Sequence, residues 1–293
     1  MNKIFIIGAS GLIGGCLYSL LKSKSLDVYG TYSNNIENDL IFFDMNQSDF
    51  SCFHEVKKGD IFYLTSAYSD PSWVTQNKAK AEELNYTKTL EFINFLTKKG
   101  VRIIFMSSAE VFDGYKGCYS EDDSPNPLNF YGELKLRIEN YLINNYNNYT
   151  IVRTGWNVGL NEKSRCPVQL TYETLLNGNA KMATDNFFSL CYVKDTAEVL
   201  YKTSLEKDLN IIHICSDKII NRNEMAELVA SVSSNGEQMS FSDCLFEEIP
   251  YSEPRGRIND LDNSLSRKLF GIQYFDAHQL IINKVKYLDN RLK

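Results

Sequence analysis

The segment 6-IIGASGLIGG-15 decides how this chain folds. It places Gly8, Gly11 and Gly14 three residues apart, directly after an apolar run and at the start of a helix-period stretch over 12–23. Glycines at such a junction allow a tight strand-to-helix turn and let a ligand approach the backbone closely. The unpaired N–H groups at the start of the following helix attract a pyrophosphate. The segment therefore predicts a dinucleotide-binding turn, rather than a turn with a purely structural role.

The composition is that of an ordinary globular protein. The chain has 293 residues, 43% of them hydrophobic and 23% charged, which suffices for one large domain or two modest ones. Its net charge of −6 argues against a broad nucleic-acid-binding surface. The seven cysteines contain no C-x-x-C pair and the three histidines are dispersed, so we expect no metal site. The odd cysteine count, without a secretion signal or a membrane-inserting run, predicts a cytoplasmic protein with reduced thiols.

Apolar β-rich runs alternate with helix-period segments through the first half of the chain. Such alternation predicts right-handed βαβ crossovers and a doubly wound parallel sheet of the α/β class. The predicted strands are KIFIIG, DVYGTY, LIFFD, DIFYLTS, VRIIFMSS and YTIVRT, and the predicted helices are 12–23, 75–98 and 130–146.

The alternation of strand and helix patterns becomes less regular after Arg153. A loop over 155–167 and a helix near 167–177 come first, followed by CYVKDTAEVLYKTSL, NIIHICS and NRNEMAELVASV. No Pro-, Gly- or Ser-rich linker separates the two parts, so we expect one continuous fold. We predict a dinucleotide-binding domain over 1–155 and a smaller interleaved C-terminal lobe over 156–293, with segments near 187–215 returning to the main sheet.

The end of the second predicted strand bears on the choice of dinucleotide. A carboxylate there would accept hydrogen bonds from the 2′-hydroxyl of NAD and repel the 2′-phosphate of NADP. The sequence 29-YGTYSNN-35 has Thr31 and Ser33 but no acid and no arginine. NADP(H) is therefore favoured and NAD(H) stays open, although Ser33 is equally an ordinary turn former. Asp44, at the end of the third strand, either contacts the adenine or caps the next helix.

A tyrosine and a lysine lie four positions apart in 129-NFYGELK-135. On a helix, residues at i and i+4 share a face, so Tyr131 and Lys135 can contact each other. The fifth predicted strand ends at Ser107 and Ser108, and ligands of doubly wound sheets bind outside the carboxyl ends of the strands. A serine, a tyrosine and a lysine are thus predicted to converge beside the dinucleotide.

The segment 107–135, SSAEVFDGYKGCYSEDDSPNPLNFYGELK, resembles the extended short-chain dehydrogenase/reductase superfamily. It is most similar to the dTDP-4-dehydrorhamnose reductase branch, whose members carry the V-F-D-G turn, the acidic E-D-D and P-L-N-x-Y-G-x-x-K. The later segments IVRTGWNVG, YVKDTAEVL, IIHICS and PRGRINDLDNSLSRKLFGI follow in the family's order. The segment 64-LTSAY-68 is similar to the residues that line the cofactor site at the end of the family's fourth strand, and Asn85 is similar to the asparagine that follows it. The resemblance covers nearly the whole chain and implies a Rossmann-type fold.

The resemblance implies a role for each matched residue. Tyr131 would donate a proton to the substrate carbonyl, and Ser108 would bind the same oxygen. Lys135 would hold the nicotinamide ribose and lower the pKa of the tyrosine from its usual value near 10. The implied cofactor-binding residues are Gly8, Ser10, Gly11, Leu12, Ile13, Gly14, Thr31, Ser33, Asp44, Met45, Thr65, Ser66, Ala67, Tyr131 and Lys135.

Two residues depart from the reductase pattern. The chain has Ala109 and Glu110 where these reductases usually have aspartate and tyrosine. Glu110 is either an acid/base, as in related dehydratases and decarboxylases, or a hydrogen-bonding residue. Guanidinium groups suit a nucleotide diphosphate, and Arg153 is a weaker candidate for such a contact. The predicted substrate-binding residues are Glu110, Trp156, Asn157, Arg255 and Arg257.

The expected function is NAD(P)H-dependent reduction of a nucleotide-linked 4-keto-6-deoxysugar, a precursor of surface polysaccharides. The expected partner is this nucleotide sugar, with no metal, no nucleic acid and no membrane insertion, and a homodimer stays open. Two alternatives remain. One is an epimerase or dehydratase with retained NAD. The other is a non-catalytic dinucleotide-binding subunit, similar to the regulatory partner of methionine adenosyltransferase.

Overall fold

The structure is a computed structural model, and it describes residues 2–34, 37–160 and 166–292. Residues 161–165, within the loop predicted over 155–167, lie outside the described part. The strands are β1 (Ile4–Ile7), β2 (Val28–Tyr32), β3 (Ile41–Phe42), β4 (Ile61–Leu64), β5 (Arg102–Met106), β6 (Tyr149–Thr154), β7 (Trp156–Val158), β8 (Ala180–Ala183), β9 (Phe187–Tyr192), β10 (Ile211–Ile214), β11 (Ile219–Asn221), β12 (Phe241–Cys244) and β13 (Ile258–Asn259).

The helices alternate with the strands through most of the chain. They are α1 (Leu12–Ser23), α2 (Pro71–Gln76), α3 (Lys78–Glu82), α4 (Thr89–Lys99), α5 (Phe130–Asn145), α6 (Pro167–Leu176), α7 (Val193–Leu205), α8 (Arg222–Val232), α9 (Ser264–Phe270) and α10 (Ala277–Leu292). Within the described ranges, no helix is both long enough and apolar enough to cross a bilayer.

Seven parallel strands form the main sheet, in the order β10-β6-β5-β4-β1-β2-β3. The order reverses between β1 and β4, which is where ligands bind in sheets of this kind. The register pairs Ile7 with Leu64, and Leu64 with Phe105, so β1, β4 and β5 end side by side. The α/β class and the doubly wound, Rossmann-type sheet are as predicted, and all six predicted strands are present.

Helices cover both faces of this sheet, as continuous apolar strands require. One face buries apolar side chains of α1 and α7 against β1, β5 and β6. The other face buries those of α4 and α5, together with a cluster of phenylalanines that includes Phe53, Phe62 and Phe92. The sheet and its helices thereby hold the ends of β1, β4 and β5 rigidly.

A smaller lobe follows β6 and has its own apolar core between α6, α8 and α10. Its strand β9 pairs with β7, β11 and β13, and β8 pairs with β12. Of the predicted returning segments near 187–215, only β10 pairs with the main sheet. Phe187–Tyr192 lies in the second sheet because its neighbours there are β7, β11 and β13.

The long helix predicted over 75–98 is interrupted. It comprises the end of α2, then α3, a π-helical stretch over Glu83–Lys88, and α4. The π-helical stretch contains Asn85, whose side chain accepts from Tyr68 N (2.9 Å) and donates to Tyr68 O (2.8 Å). These two bonds fix the loop that follows β4, which is a long-range requirement that helical periodicity cannot reveal.

Candidate active site

The glycine turn brings backbone segments closer than any side chain would allow. Gly8 adopts a left-handed φ of +94°, and its N–H donates to Thr31 Oγ1 (3.0 Å). A Cβ on Gly14 would lie 2.3 Å from the carbonyl oxygen of Gly8 and 2.8 Å from Thr65 Oγ1. The N-cap of α1 is Gly11, which supplies no side-chain cap, and the first turn carries no acid. The helix N-terminus therefore offers N–H groups to a phosphate.

A cleft of about 230 Å³ runs along the ends of β1, β2, β3 and β4 beside this turn. Its lining contains the predicted cofactor residues Gly8, Thr31, Ser33, Asp44, Met45, Ser66 and Ala67. Ser33 and Asn34 are exposed at the rim. The backbone cradle fits a dinucleotide, which these residues would hold.

Two predicted cofactor residues also have structural partners. Thr31 is buried, and its hydroxyl supports the glycine turn through the bond from Gly8 N, so it acts on the cofactor site from beneath. Asp44 caps the 3-10 turn Met45–Gln47 by accepting from Asn46 N (3.0 Å) while it lines the cleft. The two roles considered for Asp44 are thus compatible.

Ser108, Tyr131 and Lys135 meet at the carboxyl end of β5. Tyr131 and Lys135 are 7% and 4% exposed, and they lie on one face of α5. The ammonium of Lys135 donates to Met106 O (2.8 Å) and lies 5.8 Å from the centre of the Tyr131 ring. The side chain of Ser108 lies near enough to the Tyr131 phenol to lower its pKa. The predicted constellation is therefore assembled next to the cradle.

The protonation of this group differs from the expectation that Lys135 lowers the pKa of Tyr131. Burial raises the pKa of Tyr131 above its usual value, the charge of Glu110 raises it further, and the nearby Ser108 hydroxyl opposes them. Burial also lowers the pKa of Lys135 to about 8, against the opposing charge of Glu139. The ammonium is directed at the Met106 carbonyl, so the phenol stays protonated, which is the form that a proton donor needs.

Glu110 bridges the two halves of the molecule. Its carboxylate accepts from Asn129 Nδ2 (2.6 Å) on one oxygen and from Asn259 Nδ2 (3.0 Å) on the other. Asn129 is the N-cap of α5 and accepts from Gly132 N (3.0 Å), whereas Asn259 belongs to β13 of the lobe. Burial raises the pKa of Glu110. This geometry favours the hydrogen-bonding alternative for Glu110 over the acid/base alternative.

Asn129 and Gly132 have roles in this region that we did not predict from the sequence. Asn129 joins the start of α5 to Glu110, and its N-cap position before an apolar-periodic run was the available signal. Gly132 allows α5 to pack on the Ala109–Val111 turn, because a Cβ there would lie 2.0 Å from Glu110 O. A glycine in the first turn of a helix, directly after the tyrosine, was the corresponding signal.

The arginines considered for the substrate have carboxylate partners. Arg153 is 2% exposed and pairs with Glu139 (2.7 Å) beneath the site, so its role is structural and it cannot contact a nucleotide. Arg255 pairs with Glu253 (2.5 Å), and the two residues line a second cleft of about 520 Å³. Arg257 is exposed and pairs with Asp185.

The remaining substrate candidates lie in β7. Trp156 stacks on Phe188 with ring centres 4.5 Å apart, and the guanidinium of Arg222 lies 5.0 Å from the centre of the Trp156 ring. Asn157 donates to Thr154 Oγ1 (3.0 Å) and accepts from Thr196 Oγ1 (2.7 Å), so its amide is engaged within the protein. Arg222 was not among the predicted residues. Within the described ranges, no cluster of His, Cys, Asp and Glu could hold a metal ion.

Solved structures with the same fold cover nearly the whole chain. A dTDP-4-dehydrorhamnose reductase from Bacillus anthracis in complex with NADP superposes with a TM-score of 0.79 at 20% identity, covering 96% of this chain and 98% of that one. MoeE5 in complex with UDP-glucose and NAD superposes with a TM-score of 0.80 at 18% identity, covering all of both chains. At these identities, the likeness concerns the fold.

Sequence comparisons identify the family. Methionine adenosyltransferase 2 subunit beta from Xenopus tropicalis is 27% identical over 202 residues, which are 68% of this chain and 60% of that protein. The match thus spans less than two thirds of that relative's length. The profile of the RmlD substrate binding domain family matches residues 1–286. The chain therefore belongs to the RmlD substrate binding domain family, within the extended short-chain dehydrogenase/reductases.

Proposed function

We propose that this protein is an NAD(P)H-dependent reductase of a nucleotide-linked 4-keto-6-deoxysugar, supplying precursors of surface polysaccharides. The observation that carries the proposal is the meeting of Ser108, Tyr131 and Lys135 at the end of β5, directly beside the glycine cradle. Family membership and the fold shared with an NADP-bound dTDP-4-dehydrorhamnose reductase support it.

Each residue of the group has a defined task in such a reaction. The nicotinamide, when bound, supplies the hydride. Tyr131 donates the phenolic proton to the carbonyl oxygen, and the raised pKa keeps that proton in place until the oxygen becomes basic. Ser108 donates a hydrogen bond to the same oxygen and stabilises its developing charge. Lys135 holds the nicotinamide ribose with its ammonium.

NADP(H) is the proposed cofactor, with NAD(H) as the alternative. At the end of β2, Ser33 and Asn34 line the rim of the cleft, where a carboxylate would reject a 2′-phosphate. The region offers hydroxyl and amide groups to that phosphate but no arginine. The preference for NADP(H) therefore rests on the absence of a carboxylate that would repel the 2′-phosphate, and we expect this preference to be moderate.

The direct test measures oxidation of NADPH and of NADH by the purified protein. The substrates are freshly generated dTDP-4-keto-6-deoxyglucose and its C3/C5-epimerised form, with Tyr131→Phe as the inactive control. Substrate-dependent consumption of NADPH, lost in the variant, is expected. No consumption, together with cofactor that stays bound through purification and returns unchanged, would instead favour an epimerase or dehydratase.

A second candidate is a dinucleotide-binding regulatory subunit. The observation that favours it is the similarity to methionine adenosyltransferase 2 subunit beta. The test mixes the protein with a methionine adenosyltransferase catalytic subunit and measures complex formation and activity. Binding that is unchanged in Tyr131→Phe, with no ketoreductase activity in the wild type, would favour this candidate over the reductase.

A further inference from the structure

Glu110 is a buried carboxylate that forms no ion pair within the described ranges. It belongs to the 3-10 turn Ala109–Val111, directly after Ser108, and 7% of the residue is exposed. A carboxylate that leaves water without a cation costs stability unless hydrogen bonds replace its hydration. The hydrogen bonds that Glu110 forms therefore indicate its role.

Both carboxylate oxygens of Glu110 accept from asparagine amides, one from each part of the molecule. Oε2 accepts from Asn129, the N-cap of α5, and Oε1 accepts from Asn259 in β13 of the lobe. Asn129 in turn accepts from the N–H of Gly132 (3.0 Å), the residue directly after Tyr131. Glu110 thus connects a strand of the lobe to the first turn of the helix that carries the tyrosine.

The backbone of Glu110 supports the same site. Its N–H donates to Ser108 Oγ (3.2 Å), which occupies an acceptor position of this hydroxyl and leaves the hydroxyl hydrogen for donation. Its carbonyl oxygen lies against Gly132, where a Cβ would be only 2.0 Å away. A displacement of Glu110 would therefore shift the supports of Ser108 and of α5 together.

A second segment of the lobe reaches the start of α5. The amide of Asn129 also donates to Pro254 O (3.3 Å). On either side of this proline, Glu253 accepts from Ser72 Oγ (3.1 Å), and Arg255 Nη2 donates to the same hydroxyl (2.9 Å). Ser72 belongs to α2, so these contacts join the lobe to the dinucleotide-binding part as well. The N-cap of α5 is thus held by two segments of the lobe.

We propose that Glu110 is a positioning residue that couples the lobe to the proposed proton donor, Tyr131. The inference rests on the proposed function and adds to it the way in which the lobe aligns the donor. Asn259 holds Glu110 from the lobe, and Glu110 holds the cap of α5 through Asn129. A lobe that is seated on the substrate thereby also fixes the helix from which the tyrosine donates. Glu110 transfers no proton and acts through Tyr131.

The test measures kcat and KM for the keto sugar at saturating NADPH. Glu110→Gln keeps the size of the side chain but offers one acceptor oxygen to two donor amides. We expect kcat to fall about 10- to 100-fold with KM almost unchanged, the range for a misplaced reacting group. Asn259→Ala leaves the cap of α5 in place and should lower kcat about 3- to 10-fold.

The matched control is Glu227→Gln. Glu227 is an exposed carboxylate of the lobe that also accepts from an asparagine amide, that of Asn223 (3.2 Å). Its replacement should change neither kcat nor KM, because this hydrogen bond lies within α8 and away from α5.

The decisive comparison repeats Glu110→Gln in the Tyr131→Phe background, using single turnovers with excess enzyme. With no tyrosine proton to misplace, the further loss should be less than about twofold. Equal losses in both backgrounds would overturn the inference, because Glu110 would then act independently of the tyrosine. If Glu110→Gln does not fold, Asn259→Ala carries the same comparison.

The remaining outcomes separate this inference from the proposed function. A normal kcat in Glu110→Gln, with or without a lower melting temperature, would overturn the positioning role and leave the reductase intact. A wild type that reduces no keto sugar would refute the proposed function and this inference with it.

Discussion

At the scale of single residues, the chemistry of the site depends on the protonation states of Tyr131 and Lys135. Tyr131 is buried and keeps its proton, whereas Lys135 is buried and holds its proton less tightly than a free lysine. Burial disfavours the charged form of each group, so it raises the pKa of one and lowers that of the other. The arrangement suits reduction, in which the tyrosine gives a proton and the lysine stays an ammonium below pH of about 8.

Tyr131→Phe removes the proposed proton donor and little else. We expect kcat to fall by about a hundredfold or more, the range for a positioned general acid, with dinucleotide affinity almost unchanged. Steady-state kinetics and a fluorescence titration with NADPH measure the two quantities. Tyr201→Phe, on α7, is the matched control and should keep full activity. Full turnover by Tyr131→Phe would show that another group supplies the proton.

The pKa of about 8 for Lys135 predicts a pH dependence of NADPH binding. Above that pH the ammonium loses its proton, so affinity should decline as pH rises from about 8 to 10. The contribution of Lys135 to stability has the opposite trend. An unfolded lysine keeps its proton up to its usual pKa of 10.5, so this group makes the free energy of unfolding rise as the pH goes from about 8 to that value.

Titrations with NADPH at several pH values measure this dependence. Lys135→Met should bind NADPH weakly at every pH and lose activity, because it lacks both the charge and its donors. The same decline with pH in Lys135→Met as in the wild type would assign the titration to another group.

At the scale of elements, α5 is the organising helix of the site. Tyr131, Lys135 and Glu139 follow one another at intervals of four residues and so share a face. The start of the helix is fixed by the Asn129 cap, and Gly132 allows it to approach the turn after β5. The position of the Tyr131 side chain therefore depends on Asn129 and Gly132, which take no part in the proposed reaction.

Gly132→Ala tests this contact between elements. Alanine favours helix by about 1 kcal/mol, but its Cβ would lie 2.0 Å from Glu110 O. We expect a net loss of about 1–3 kcal/mol in the free energy of unfolding and a lower kcat, because α5 must move away from Ser108. Urea denaturation and kinetics check both. Glu133→Ala, the exposed neighbour, should change neither, and a stabilised, fully active Gly132→Ala would contradict the packing.

We expect the end of β2 to govern the cofactor preference. Ser33→Asp places a carboxylate at the rim of the cleft, where it would repel the 2′-phosphate and accept from a 2′-hydroxyl. We expect the ratio of kcat/KM for NADPH to that for NADH to fall about tenfold or more. Ser33→Asn is the control, because asparagine is similar in size to aspartate and carries no charge. An unchanged ratio in Ser33→Asp would show that the 2′ position lies elsewhere.

At the scale of the whole molecule, a buried ion pair joins α5 to β6 beneath the site. Arg153 donates to both carboxylate oxygens of Glu139, Ser107 donates to the same group, and His213 lies 3.4 Å from Arg153. Burial and the nearby guanidinium lower the pKa of His213 to about 3, so it is neutral at ordinary pH. The pair connects α5 to β6 and, through His213, to β10.

Removing one member of this pair leaves the other buried without a partner. We expect Glu139→Gln to lower the free energy of unfolding by about 3–5 kcal/mol. The double variant Glu139→Gln/Arg153→Met should lose less than the sum of the single variants. Urea denaturation gives these values, with the exposed Lys218→Gln as a control below about 1 kcal/mol. Additive losses would mean that the two side chains are not coupled.

The sequence alone determined the glycine turn, the tyrosine–lysine pair and the strands of the first half of the chain. Gly8, Gly11 and Gly14 are local requirements of a turn, and Tyr131 and Lys135 follow from the helical repeat. The six strands of the first half could be read because a sheet covered on both faces needs continuous apolar runs. These features depend on neighbours in the sequence, so the sequence displays them.

Only the tertiary structure decided which polar groups are already engaged. Arg153, Arg255 and Arg257 look equivalent to Arg222 in the sequence, yet each has a carboxylate partner and Arg222 has none within the described ranges. Similarly, Glu110 became a bridge through Asn129 and Asn259, which lie 19 and 149 residues away. Ion pairs and burial depend on long-range contacts, and these set the pKa values and the availability of each charge.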